Sequence, residues 1–294
     1  EVAHGTDPLG IRPASITGHW RFDETSGATA VDSSPNGNDG TIAGADRVTG
    51  RSGRALRFDG QDDQVTIPAA NSYRTADLTI LAWVRFDAVD GNAVTGTCPD
   101  GTMYVLALKN AGGGHAVALV RTAEQALALR VANSAVPLAA EVGTPPGFAV
   151  PGRWYEVAAV IDRPSVTLYV NGECIGTAAF DAAIEYDASS GVLFGRGGLA
   201  NDGFLDGVLD EVRFLDSGLD SREIAALGDA PGDSDTDGLL NLDEMAAGAN
   251  PAAADSDGDG LSDFAEVELY GCDPTVGDTD LDGLGDAWEV RFSL

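Results

Sequence analysis

The chain has 294 residues, of which 44% are hydrophobic and 38 are glycine, room for one large turn-rich β domain and a small module. With 17 basic against 47 acidic residues its formal charge is −30, so nucleic acid and anionic membrane surfaces repel it and its natural partners are cations. No run approaches the ~20 apolar residues that span a bilayer, so membrane insertion by a helix is not expected.

Residues 1–12 form a short polar leader. Residues 13–228 carry alternating apolar patterns separated by turn signals. Strands are predicted at Leu78–Phe86, Tyr104–Lys109, Ala116–Arg121, Leu127–Val131, Trp154–Ile161, Val166–Val170 and Leu205–Phe214. Asn171-Gly172, between Val166–Val170 and Glu173–Ala179, is a hairpin signal, because both turn residues must tolerate positive φ. Many short strands and almost no helical periodicity make the chain mainly β, a two-sheet antiparallel sandwich. One helical pattern, Leu219–Leu227, closes this segment.

Residues 229–294 hold 18 acidic residues against one basic residue, entered through the breaker stretch Gly228–Gly232. Within them Asp233, Asp235, Asp237, Asn241 and Glu244 occupy positions 1, 3, 5, 9 and 12 of a loop with Gly238 at position 6 and Leu239 at position 7. The pattern returns with Asp255, Asp257, Asp259, Gly260, Leu261, Asp263 and Glu266, and again with Asp278, Asp280, Asp282, Gly283, Leu284, Asp286 and Glu289. Calcium takes ~6–8 oxygens, and such a loop supplies side chains at 1, 3 and 5, a carbonyl at 7, a direct or water-mediated ligand at 9 and a bidentate carboxylate at 12. Three loops in register, 22 and 23 residues apart, are expected to bind Ca2+. A solvated acidic linker would not keep glycine and glutamate in place three times.

His19–Gly27, Asp32-Ser33-Ser34 and Asn38-Asp39-Gly40 resemble the opening of a bacterial LamG-like jellyroll domain. Gly53–Val65 is similar to its second signature, and Leu209–Phe214 with Leu219–Leu227 to its last strand and closing helix. The resemblance implies a concanavalin-like jellyroll. It also implies a calcium at the sheet edge, with Asp59 or Asp62 and Asp210 as ligands; the alternative is that these carboxylates cap turns. The acidic loops resemble thrombospondin type 3-like calcium repeats of bacterial surface proteins. Glu1–Pro8 parallels Glu244–Pro251, so the chain is expected to begin inside one repeat and stop inside another.

Trp20, Trp83 and Trp154 are read as core rather than sugar platforms, and Trp288 as packing beside the third loop. His4, His19 and His115 show no metal-ligand spacing. Cys98, Cys174 and Cys272 allow at most one intrachain disulfide and leave one thiol over. Retaining jellyroll glucanases carry their acids on one strand, ~5–5.5 Å apart; here Glu185-Tyr186-Asp187 is an isolated pair, and the Asp210-Glu211 pair belongs to the jellyroll signature. The expectation is therefore a non-enzymatic, extracellular or cell-surface module that recognises glycan or a surface protein, on a calcium-stiffened stalk. The alternatives are a carbohydrate-binding module of a polysaccharide-degrading enzyme and a structural subunit of a surface fibre assembled head to tail.

Overall fold

A computed structural model describes residues 16–87, 101–110, 114–133, 136, 138–189, 191–198, 203–221, 223–224, 237, 247–250, 253–280 and 282–292. The chain divides into two units, residues 1–221 and 222–294.

The first unit is a sandwich of two eight-stranded sheets, antiparallel throughout. One contains β1 (Ile16–Trp20), β4 (Asp46–Thr49), β5 (Arg54–Asp59), β7 (Leu78–Phe86), β12 (Trp154–Asp162), β13 (Ser165–Val170), β14 (Glu173–Ala179) and β16 (Asp206–Leu215). Its order is β14-β13-β12-β7-β16-β5-β4, with β1 also paired to β16. The other contains β2 (Thr29–Ala30), β3 (Gly40–Ala43), β6 (Gln64–Ile67), β8 (Met103–Lys109), β9 (His115–Arg121), β10 (Leu127–Val131), β11 (Ala140–Gly143) and β15 (Val192–Phe194). Its order is β11-β10-β9-β8-β15-β6-β3-β2. The predicted strands are present with bounds moved by a residue or less, and the Asn171-Gly172 turn joins β13 to β14 with φ of 50° and 74°. Of the closing helix, Ser221, Glu223 and Ile224 are helical; its remainder lies outside the described residues.

The core is the alternate face of each strand. Leu78, Ile80, Ala82, Val84 and Phe86 of β7 meet Val157, Ala159 and Ile161 of β12 and Val105, Leu106 and Leu108 of β8 in one buried cluster. At its centre Trp20 packs edge-on against Phe194 of the opposite sheet and Phe214 of its own, at 5.2 and 5.7 Å. Its indole N–H donates to the Asn38 carbonyl. Gly18 makes room for this: a Cβ there would lie 2.4 Å from the Trp20 ring. Trp20 is thus core as expected. Trp83 is buried outside that cluster, with Arg51 over its ring, and Trp154 is half-buried beneath Arg85.

Strand β16 changes partner midway. Asp206–Leu209 pairs with β5, and Val212–Leu215 pairs with β1. Between them the chain bulges and Glu211 takes a φ of 47°. Both acids at this switch are buried. Asp210 accepts the backbone N–H groups of Arg51 and Ser52 through one oxygen and that of Glu211 through the other. Burial outweighs these donors and pushes Asp210 up to about 7. Glu211 faces His19 at 2.6 Å, Arg213 at 2.9 Å and Arg21 at 3.3 Å. Burial disfavours its charge, but His19 and Arg213 overcome that and draw it down to about 2.

Two outcomes are expected. Trp20→Ala removes the ring on which both sheets pack and should cost about 3–5 kcal/mol in urea unfolding of the sandwich. An effect below ~1 kcal/mol would contradict the central placement of Trp20. Glu211 titrates near its usual 4.5 when unfolded and near 2 when folded, so its contribution is complete above the first value and lost as pH falls through the second. Glu211→Gln should therefore lower the urea midpoint at neutral pH, with the deficit narrowing from about pH 4.5 towards 2.

Candidate metal centre

The second and third acidic loops build the same cage from the same positions. Position 1 receives the N–H of the glycine at 6: Gly260 to Asp255 and Gly283 to Asp278, at 3.1 and 3.0 Å. Position 3 receives the N–H of position 5: Asp259 to Asp257 and Asp282 to Asp280. Position 5 receives the N–H of the leucine at 7: Leu261 to Asp259 and Leu284 to Asp282. The glycines at 6 take φ of 104° and 99°, a region L-residues avoid. Each side chain thus spends an oxygen on the backbone of its own loop, and the carboxylates turn inwards together. Asp255, Asp257 and Asp259 bring one oxygen each within 4.8 Å of one another, and so do Asp278, Asp280 and Asp282.

Position 9, read as a direct or water-mediated ligand, is held by position 2 of its own loop. Both Asp263 oxygens accept from Ser256, at its N–H and its hydroxyl. Both Asp286 oxygens accept from Thr279 in the same way. The hydroxyl at position 2 in turn accepts an N–H from before the loop, Asn250 to Ser256 and Asp273 to Thr279. These clamps were missed from the sequence. Their signal was a hydroxyl at position 2 of every repeat: Ser234, Ser256 and Thr279.

Position 12 of the second loop carries the sharpest feature. Glu266 is 0% exposed and neither of its carboxylate oxygens has a hydrogen-bond partner. Burial, then the charges of Asp257, Asp259, Asp263 and Asp286, push it up to about 8. Asp257 is also raised, by burial first and then by Asp259 and Asp255, and one of its oxygens is buried and unpartnered. An anionic carboxylate in such a place demands a cation. A hard divalent ion fits: the donors are all carboxylate oxygens, and Glu266 has both to give. Glu289, its counterpart in the third loop, is half-buried in α1 (Asp286–Phe292) and raised by the same causes.

Around and after Glu266 the chain runs in wide helical turns, Ala265–Tyr270, closed by a bond of 2.7 Å from the Gly271 N–H to the Glu266 carbonyl, five residues back. Trp288 packs on Phe292 at 4.6 Å and is exposed. In the first loop only Asp237 is described, its carboxylate accepting the N–H of Phe264 at 2.8 Å. Asp233, Asp235, Leu239, Asn241 and Glu244 lie outside the described residues, as do the leader and Cys98. Cys174 and Cys272 are free thiols.

In the sandwich the structure joins Asp59 and Asp62 to Asp63, a residue missed from the sequence, with oxygens within 4.8 Å. The Asp62-Asp63 doublet was its signal. Asp210 is not among them: it lies four residues along β16 from Asp206, the partner of Asp59, roughly 13 Å away. Asp59 accepts from the Gln61 N–H and side-chain amide, and Asp63 accepts the Asp59 N–H. None of the trio's buried oxygens lacks a partner, unlike those of Glu266. The signature residue Asp32, buried, accepts the N–H groups of His19, Ser34 and Asn38 and the Ser34 hydroxyl, which is turn building.

Comparison with known proteins agrees with this division. Residues 1–9 and 255–277 match the bacterial TSP3 repeat. No curated protein sequence matches the chain. Among solved structures, the binding domain of Paraclostridial Mosquitocidal Protein 1 superposes with a TM-score of 0.58 at 16% identity, covering 72% of this chain and 51% of that one. Domain 4 of AbnA, an extracellular arabinanase from Geobacillus stearothermophilus, in complex with arabinotriose, gives 0.57 at 17% identity, covering 74% and 99%. A Trypanosoma rangeli sialidase gives 0.53 at 19%, covering 76% and 33%. This chain therefore spans about half of the toxin chain and a third of the sialidase. Residues 59–225, more than half of the sequence, match the family model of the concanavalin A-like lectins and glucanases, and the chain belongs to that superfamily.

Proposed function

We propose that this chain is an extracellular, non-enzymatic binding module: a jellyroll that recognises glycan, joined to repeats that calcium folds and stiffens. Glu266 carries the calcium half, as a fully buried carboxylate with two unanswered oxygens amid four other acids. Asp255, Asp257, Asp259 and Glu266 would hold one ion with the Leu261 carbonyl, and Asp278, Asp280, Asp282 and Glu289 another with that of Leu284. By sequence, Asp233, Asp235, Asp237 and Glu244 would hold a third. Bound calcium supplies the positive charge that lets these carboxylates stay ionised and close together. Extracellular calcium is abundant enough to fill weak sites of this kind.

The glycan half is supported by the company the fold keeps. Domain 4 of the arabinanase, matched over almost its whole length, is bound to arabinotriose, and the toxin match is to a binding domain. The arabinanase match favours a second reading, a carbohydrate-binding module of a polysaccharide-degrading protein. Both readings place recognition in the jellyroll and leave catalysis elsewhere.

Chelation should loosen the repeats and spare the sandwich. Hydrogen exchange in residues 253–292 should rise on adding EGTA, with the β7 and β12 amides unchanged; equal protection in both states would refute calcium-coupled folding. On a glycan array, with and without calcium, the chain should retain polysaccharide fragments. Arabinan oligosaccharides among the hits would favour the second reading, and no retained glycan would remove the glycan assignment.

A further inference from the structure

The acidic cage of the second loop does not end with that loop. One oxygen each of Asp259, Glu266 and Asp286 lies within 4.8 Å of the others, and Asp286 belongs to the third repeat. Glu266 and Asp286 are both buried. Asp286 is not a flexible surface acid swung in from solvent, because Thr279 grips both its oxygens. The next residue ties the repeats directly: the Ala287 N–H donates to Asp259 at 3.0 Å. The same bond joins the preceding pair, Phe264 N–H to Asp237, and brings Asp263 to that junction at the matching position.

We propose that Asp259 and Glu266 of one repeat and Asp286 of the next form a single cation-binding junction, so that calcium in the second repeat is ligated by the third. The proposal rests on the calcium reading above and goes beyond it in assigning position 9 to the preceding repeat's ion. The cluster alone would not carry it. The independent observation is Glu266, whose two buried oxygens have no partner, one of them lying in this cluster. Three carboxylates bring three negative charges, of which a divalent cation offsets two while supplying the oxygen-seeking centre that all three face. A repeat would then bind calcium well only with its successor docked. Filling one site orders the neighbour's loop, and the array loads as a coupled unit. By sequence, Asp237, Glu244 and Asp263 hold the same places at the first junction.

The test is a calcium titration of the uniformly 15N-labelled 294-residue chain, read separately at the amides of Gly260 and Gly283, the sixth positions of the second and third loops. Asp286→Asn keeps an oxygen for the Thr279 N–H and an amide for its hydroxyl, so the clamp survives while the charge is lost. It should weaken the calcium midpoint at Gly260 by at least ~10-fold, although the substitution lies in the other repeat. Asp280→Asn, a third-loop change away from the junction, should weaken the midpoint at Gly283 and shift that at Gly260 far less than Asp286→Asn does. An unaltered Gly260 midpoint in Asp286→Asn overturns the shared junction and leaves calcium binding within each loop standing. No calcium response at either glycine in the unaltered chain refutes the calcium reading, and the junction with it.

Discussion

A carboxylate taken out of water must have its charge answered, and much of this chain is arranged around how that is done. The sandwich answers internally. Asp32 and Asp210 face backbone N–H groups, and Glu211 faces a histidine and two arginines. These acids sit where regular pairing fails: at the turn beside β1 and at the point where β16 passes from β5 to β1. They supply acceptors that a continuous ladder would have supplied itself. The repeats answer only in part. Asp255 and Asp259 spend both oxygens on backbone N–H groups, Asp257 keeps one without a partner, and Glu266 spends none.

That difference divides the molecule by the source of its stability. The sandwich has a continuous apolar core and needs nothing from solution to bury it. The repeats bury few large apolar side chains among their described residues, and Tyr270, Val276, Trp288 and Phe292 are exposed. On the proposed reading, calcium answers the charge of 18 acidic residues against one basic, and its binding free energy becomes folding free energy.

The strands were legible because alternation has a period of two and the sandwich buries one face of each: β7, β10 and β14 begin and end where the pattern does. The Asn171-Gly172 turn was legible because few residue pairs tolerate two positive φ angles. The strands β1 to β6, β11 and β15 were not; all but β5 are two to five residues long, which carries too little periodicity. In the repeats, spacing gave the carboxylates of positions 1, 3 and 5, which are local to one loop. It could not give the part of Asp286, because reaching Asp259 and Glu266 depends on how one repeat stacks on another. Asp210 reads in sequence as a partner of Asp59, but the register pairs Asp59 with Asp206, four residues along β16.

The wide turns after Glu266 bear on how such arrays vary in length. Glu244 is followed by glycine after four residues, at Gly248, and Glu266 after five, at Gly271. From either glycine to the next loop the distance is the same seven residues. The longer repeat takes up its extra residue where the chain closes over five residues rather than the four of an α-helix, and Gly271 still adopts the left-handed conformation that Gly248 has. The cage and the approach to the next cage keep their spacing. In this chain the one-residue difference between the first and second repeats falls there, between acid and glycine. A single residue gained inside the twelve-residue loop would instead shift every carboxylate relative to the ion.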